Sequence, residues 1–184
     1  MITPNYIPAI FVSVGIASDN LMLSAMSGSL TSVVKPVKLL LMLFMLLTIQ
    51  MQAFLYGHWL AKLLVHNASG LEKWIALSVL IATMLRMYQD FRLAQHWKND
   101  IPFGLDGFLN ISLATSIYVL VLGFSMCVLQ VNYSFAYPVS IANLAIMLLI
   151  GWYAGKGDCI KTLAFIKKAS LIIMVIGIMI FLIQ

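Results

Sequence analysis

The chain has 184 residues, of which 62% are hydrophobic and 9% charged, with a formal net charge of +5. A soluble domain carries about 25% charged residues and about half apolar ones, and a globule of this size cannot cover so much apolar surface. A mean hydropathy of +1.02 therefore excludes a soluble enzyme, a disordered tail and a coiled coil, and leaves lipid as the solvent.

The long Leu/Ile/Met runs do not alternate with polar residues, so helices are expected and a membrane β-barrel is not. Taken in chain order, the predicted spans are Ile7–Gly28, Leu39–Val65, Leu71–Phe91, Phe108–Val131, Phe135–Gly155 and Thr162–Leu182. The first lacks the basic leader of a signal peptide, so it is expected to stay. The third is the weakest, with only Trp74–Leu85 free of charge between Lys73 and Arg86; it reaches spanning length once both flanking charges snorkel. Lys62, Lys167 and Lys168 are expected to reach the interface in the same way. Pro36 and Pro138 are placed at or just inside helix starts, where a missing N–H is tolerated. Cys127 and Cys159 make no zinc spacing and fall toward opposite faces, so no disulfide is expected. The Arg86–Asp106 segment reads as a solvated loop before it reads as a cytosolic partner site.

The +5 charge reports topology before it reports nucleic-acid binding, which is not expected. With six spans and both termini extracytoplasmic, Lys35, Lys38, Arg86, Arg92, Lys98, Lys156, Lys161, Lys167 and Lys168 lie inside, against Lys62 and Lys73 outside. Removing the third span reverses everything after it and puts the basic Lys156–Lys168 stretch outside, against the positive-inside rule. The expected fold is thus an all-α membrane protein, one transmembrane domain over 1–184.

Three spans per half make any internal repeat inverted across the membrane, as in secondary transporters. Ala17–Ser24 aligns with Ser116–Gly123, pairing Asp19 with Tyr118. The halves run over about 1–92 and 107–184. Polar groups gather near the span centres, where they are costly: Asp19 in span one, Thr48, Gln50 and Gln52 in span two, Ser116 and Tyr118 in span four, Asn143 in span five. Asp19 is the one carboxylate deep in a span. Its stripe of Ser13, Ala17, Asn20, Ser24 and Ser27 is too small and polar for lipid. Two readings stay open for Asp19: a cation site built from carboxylate and amide oxygens, or a structural acid in close helix packing. Gln52 and Asn143 are likewise ligands or interhelical hydrogen bonders. Tyr56, His58 and Trp59 read as interfacial groups. There is no HExxH, GxSxG or phosphate loop, and no enzyme is expected.

The chain resembles the small bacterial manganese efflux pumps, the MntP family within the LysE-like exporter superfamily. Val14-Gly15-Ile16-Ala17-Ser18-Asp19 is similar to the family's glycine-then-acid motif, with Asp19 on its acid. Trp74–Leu77 through Arg86-Met87 and Asp90 resembles its third span, Ala114-Thr115-Ser116 the run before its second acid, and Leu129–Asn132 the close of span four. Gly151 and Gly155 match the glycine pair ending its fifth span. Tyr118 stands where the family has its second acid, Thr48 where it has Glu or Gln, Gln52 where it has proline, and Met84-Leu85 where it has a small pair. The resemblance implies manganese efflux with no resident cofactor. Asp19 would be the metal ligand, Asn20, Thr48, Gln52, Ser116 and Asn143 neutral oxygens, and Tyr118 a hydroxyl in place of the missing acid. Other expectations are export of a monovalent ion or small solute, or a non-transporting membrane subunit. The expected partners are the bilayer and a metal ion or small solute.

Overall fold

The computed structural model describes residues 5–29, 36–65, 71–94, 105–156 and 160–183. Lys35, Lys98, Cys159 and residues 95–104 lie outside them; the expected Arg86–Asp106 loop is helical at its start, where a helix continues to Ala94. Seven helical segments fill the described chain: α1 (Tyr6–Ala17), α2 (Asn20–Ser29), α3 (Pro36–Val65), α4 (Glu72–Ala94), α5 (Leu105–Val128), α6 (Tyr133–Lys156) and α7 (Ile160–Ile183). Four of them, α3, α5, α6 and α7, are long and apolar enough to cross a membrane, and α1 is a shorter apolar helix. Their outward faces carry Phe44, Trp59, Leu113, Ile146, Phe165 and Ile176, all exposed, as lipid contact requires. α4 is not in that set, but one of its faces is apolar and exposed through Trp74, Ile75, Ile81 and Leu85.

The expected continuous first span is interrupted. The Ser18 hydroxyl donates to the Gly15 carbonyl at 2.6 Å, and the N–H groups of Ser18, Asp19 and Leu21 bond three residues back, to Gly15, Ile16 and Ser18. A serine that competes for the backbone carbonyls, with tightened turns around it, breaks the regular ladder. α1 and α2 thus meet at Ser18-Asp19. Pro138 lies deeper than expected, inside α6, past the four N–H groups a helix start leaves free.

Contacts fix the directions. Ser13 meets Asn143, Ser24 the Leu148 carbonyl, and Gly155 the Ala25 backbone, so α1–α2 and α6 are parallel. Gly15 packs on Met174 and Gly177 on Phe11, so α1 and α7 are antiparallel. Gln50 meets Thr115, and Gly57 meets the Leu120 backbone, so α3 and α5 are parallel. A cavity of about 210 Å³ is lined by Asn5, Lys73, Val128, Leu129, Gln130 and Phe181. It therefore gathers the starts of α1 and α4 and the ends of α5 and α7 at one end of the molecule. Counting α1–α2 as one, each helix runs opposite to its predecessor. The first helix of each half also packs on the second and third helices of the other half: α1–α2 on α6 and α7, α5 on α3 and α4.

Two glycine contacts set the approach of α3 to α5. A Cβ at Gly57 would strike the Leu120 carbonyl, and one at Gly123 the Phe54 carbonyl, so α3 and α5 touch through their backbones. Ala53, Gly57 and Ala61, spaced by four, are all buried on that face, the small-residue packing expected without a hydrophobic driving force. α5 closes on Gln130, whose φ of 56° is left-handed. The Val131 N–H bonds to Met126 and the Gln130 N–H to Cys127, the pair of bonds that ends a helix with a left-handed residue. Asn132 then caps α6 by accepting the Ser134 N–H at 3.0 Å.

Gly123→Val should cost about 3 kcal/mol or more, because the clash is with backbone and the helices must separate. Thermal unfolding of the detergent-solubilised chain, followed by circular dichroism, measures it; an unchanged midpoint would refute the backbone contact.

Candidate functional site

The break between α1 and α2 places Asp19 against α7. Its carboxylate accepts from the Lys167 ammonium at 2.8 Å, and the two residues are only 9% and 5% exposed. Lys167 does not snorkel as the sequence suggested; Lys168 beside it does reach the exterior, and so does Lys62. The pair is made because a carboxylate held away from water needs a counter-charge, and the antiparallel crossing of α1 and α7 brings one within reach.

A second polar cluster lies next along the chain. The Gln50 amide nitrogen donates to the Asn20 side-chain oxygen at 3.1 Å and to the Thr115 hydroxyl at 2.9 Å. Thr115 in turn donates to the Ser112 carbonyl at 3.1 Å. The cluster joins α2, α3 and α5 and is fully enclosed. The Asn20 side-chain nitrogen, the Gln50 side-chain oxygen and the Ser112 hydroxyl have no hydrogen-bond partner among the described residues, so the cluster retains unused donor and acceptor capacity. Farther along the first span, Ser24 donates to the Leu148 carbonyl, and Asn143 donates to the Ser13 hydroxyl at 3.1 Å. The Ser13, Ala17, Asn20 and Ser24 stripe is buried, as its composition suggested.

The expected ligand set is only partly brought together. Asp19 and Asn20 are adjacent and buried. Thr48 and Gln52 are exposed on the opposite side of α3, and the Thr48 hydroxyl is returned to the Phe44 carbonyl at 2.9 Å. The reason is helical phase. α3 turns Leu46, Gln50, Phe54, Gly57 and Ala61 inward, and two residues of shift is about 200° of rotation. Ser116 gives its hydroxyl to the Leu113 carbonyl on the flank of α5; Ser112 and Thr115 hold the inward face. Asn143 is half-buried and engaged with Ser13 rather than with Asp19.

Tyr118, paired with Asp19 in the repeat, turns to α4. Its hydroxyl donates to Asp90 at 2.5 Å, and Asp90 also meets Arg86 at 3.6 Å. The Tyr118 hydroxyl is committed to the Asp90 carboxylate, while the ring lies near enough to Asp19 for the two to interact electrostatically. Gln50, Thr115, Ser112 and Lys167 were the residues missed. The Ala53-Gly57-Ala61 spacing, in phase with Gln50, was the signal that would have found the inward face of α3. For Lys167 no local signal exists, since its partner is 148 positions away.

Among the described residues no three His, Cys, Asp or Glu side chains group together as a metal would require. What the arrangement offers instead is one carboxylate, one ammonium and a set of neutral amide and hydroxyl groups, enclosed at a helix interruption. No protein-family model matches the chain, and no curated protein or solved structure matches it.

Gln50→Leu should destabilise the chain by about 1–3 kcal/mol, the cost of unpairing buried polar groups. Gln52→Leu should be neutral or stabilising, because that side chain faces outward. Thermal midpoints of the two variants, compared in one detergent, test the assignment; the reverse order would overturn it.

Proposed function

We propose that the chain is a six-span exporter of small cations in the bacterial inner membrane, with manganese as the first substrate to test. Its two halves are read as inverted three-helix repeats with both termini extracytoplasmic. The observation that carries this reading is Asp19, a carboxylate enclosed at the interruption of a membrane helix with amide and hydroxyl groups beside it. Discontinuous helices place charged and backbone groups at the midplane sites of secondary transporters, and an acid within a span marks an ion path more often than a packing device. The exchange of packing partners between the halves, and the alternation of helix direction, support the repeat and the six crossings. The resemblance to the manganese pumps supports the substrate.

In this reading a cation enters from the cytosol and meets the Asp19 carboxylate. Asn20, Gln50 and Thr115 form the neutral wall behind it, and Tyr118 sits to the side on Asp90. A second reading rests on Lys167. Its ammonium leaves the site without net negative charge, which suits a monovalent ion or small solute better than a bare divalent ion, whose hydration is costly to remove. The same pair would serve a non-transporting subunit as a structural ion pair.

The gene should lower cell manganese and restore manganese resistance in a strain lacking its manganese exporter, and Asp19→Asn should abolish both effects. Equal cell manganese with and without the gene would refute manganese export. If the gene protects and Asp19→Asn protects equally, the Asp19 site is wrong.

The topology has its own test. Cys159 should react with impermeant maleimide in inverted vesicles and not in intact cells. Labelling in intact cells would refute the six-span arrangement.

A further inference from the structure

The Asp19–Lys167 pair sets a condition on any cation that uses this site. The two groups lie 2.8 Å apart and are almost fully enclosed. Away from water a carboxylate is not left without a counter-charge, and an ammonium already holds this one. An incoming cation therefore has to take the place of Lys167.

Lys167 has somewhere to go. It lies seven residues into α7, which begins at Ile160, so its Cα is about 10 Å along the helix from that end. Its neighbour Lys168 is exposed. A lysine at this position can carry its charge toward the helix end along its own flexible stem. Asp19 has less freedom: it sits in the tight turn between α1 and α2, with its backbone N–H bonded to Ile16. The mobile member of the pair is the lysine.

We infer that Lys167 is a built-in counter-cation. Its ammonium occupies the Asp19 carboxylate when the site is empty, withdraws toward the α7 start when a substrate cation binds, and returns to expel that cation. The inference rests on the reading of Asp19 as a cation site. It makes the ligand a cation in competition with an ammonium, which excludes anions and neutral solutes at Asp19. It also supplies the release step: a site that binds a cation through a fixed carboxylate needs a competing charge to let it go. Lys167 is in these terms a positioning and gating residue, since it acts on the ligand through Asp19.

The test is Mn²⁺ binding to the purified full chain in detergent, by titration calorimetry, with K⁺ as a second probe. Lys167→Met removes the charge and keeps most of the stem. It should bind Mn²⁺ more tightly than wild type, on the order of tenfold or more once the competing charge is gone. It should nevertheless transport Mn²⁺ more slowly into inverted vesicles, because nothing expels the bound ion. Lys167→Arg keeps the charge and strengthens the pair, so it should bind more weakly than wild type. Tighter binding by Lys167→Met than by K⁺- or Mn²⁺-titrated wild type, including binding where wild type shows none, supports the inference.

Unchanged or weaker binding by folded Lys167→Met overturns it. Where Lys167→Met does not fold, Lys167→Arg decides: weaker binding supports the inference and unchanged binding overturns it. If Asp19→Asn abolishes binding while both lysine variants match wild type, the cation site stands and the counter-cation role fails. If folded Asp19→Asn binds as wild type does, or no folded variant binds either ion, both fail.

Discussion

The arrangement depends on one electrostatic constraint: a carboxylate enclosed between membrane helices has to be neutralised from within the protein. Moving a lone ionised group into a medium of low dielectric costs far more than folding can return. Asp19 meets this constraint with Lys167 across the antiparallel contact of α1 and α7. Removing either member would leave the other charged and buried, so the pair holds α7 in register against the first span.

That pair sits at the break between α1 and α2, and the two features belong together. The Ser18 hydroxyl takes a carbonyl that the regular ladder would use, and the tightened turn sets Asp19 at the start of α2. A negative charge at a helix start is favoured by the helix dipole, which adds to the lysine's attraction. Gly15, four residues before, lets the Met174 side chain lie against the α1 backbone.

Close backbone packing carries the rest of the fold. Lipid offers helices no hydrophobic reason to associate, so small residues and buried hydrogen bonds must do it. α3 and α5 meet at Gly57 and Gly123, and α6 meets the first span at Gly151 and Gly155. Each contact joins the first helix of one half to the second helix of the other. Along both seams polar side chains add cross-links, Gln50 to Thr115 in one and Ser24 to Leu148 in the other. The polar pairs follow the same exchange, from the first helix of one half to the third helix of the other, and differ in kind. Asp19 takes a cation from α7, whereas Tyr118 donates to an acid on α4. The two halves share their packing and differ in their chemistry: an enclosed ion pair joins α1–α2 to α7, and a hydroxyl–carboxylate bond joins α5 to α4.

Composition and hydrophobic run length determined much by themselves: an all-helical chain with a lipid-facing exterior, helix positions close to those observed, and a buried polar stripe on the first span with Asp19 at its centre. These are local properties, and a run of apolar residues or a carboxylate among serines declares itself without a partner. The faces of the helices were another matter. Apolar residues surround both glutamines of α3, so hydropathy did not separate Gln50, which is buried, from Gln52, which is exposed; only the small residues Ala53, Gly57 and Ala61 marked the inward face, and contact with α5 through Gly57 and Gly123 made the choice. Tyr118 aligned with Asp19 in the sequence, yet its side chain is spoken for by Asp90. Lys167 looked like an interfacial lysine because its stem is long and a second lysine follows it. Only the crossing of α7 over the break at Ser18-Asp19 made it an internal counter-charge, because the energy of an ion pair depends on distance in space and the sequence records only distance along the chain.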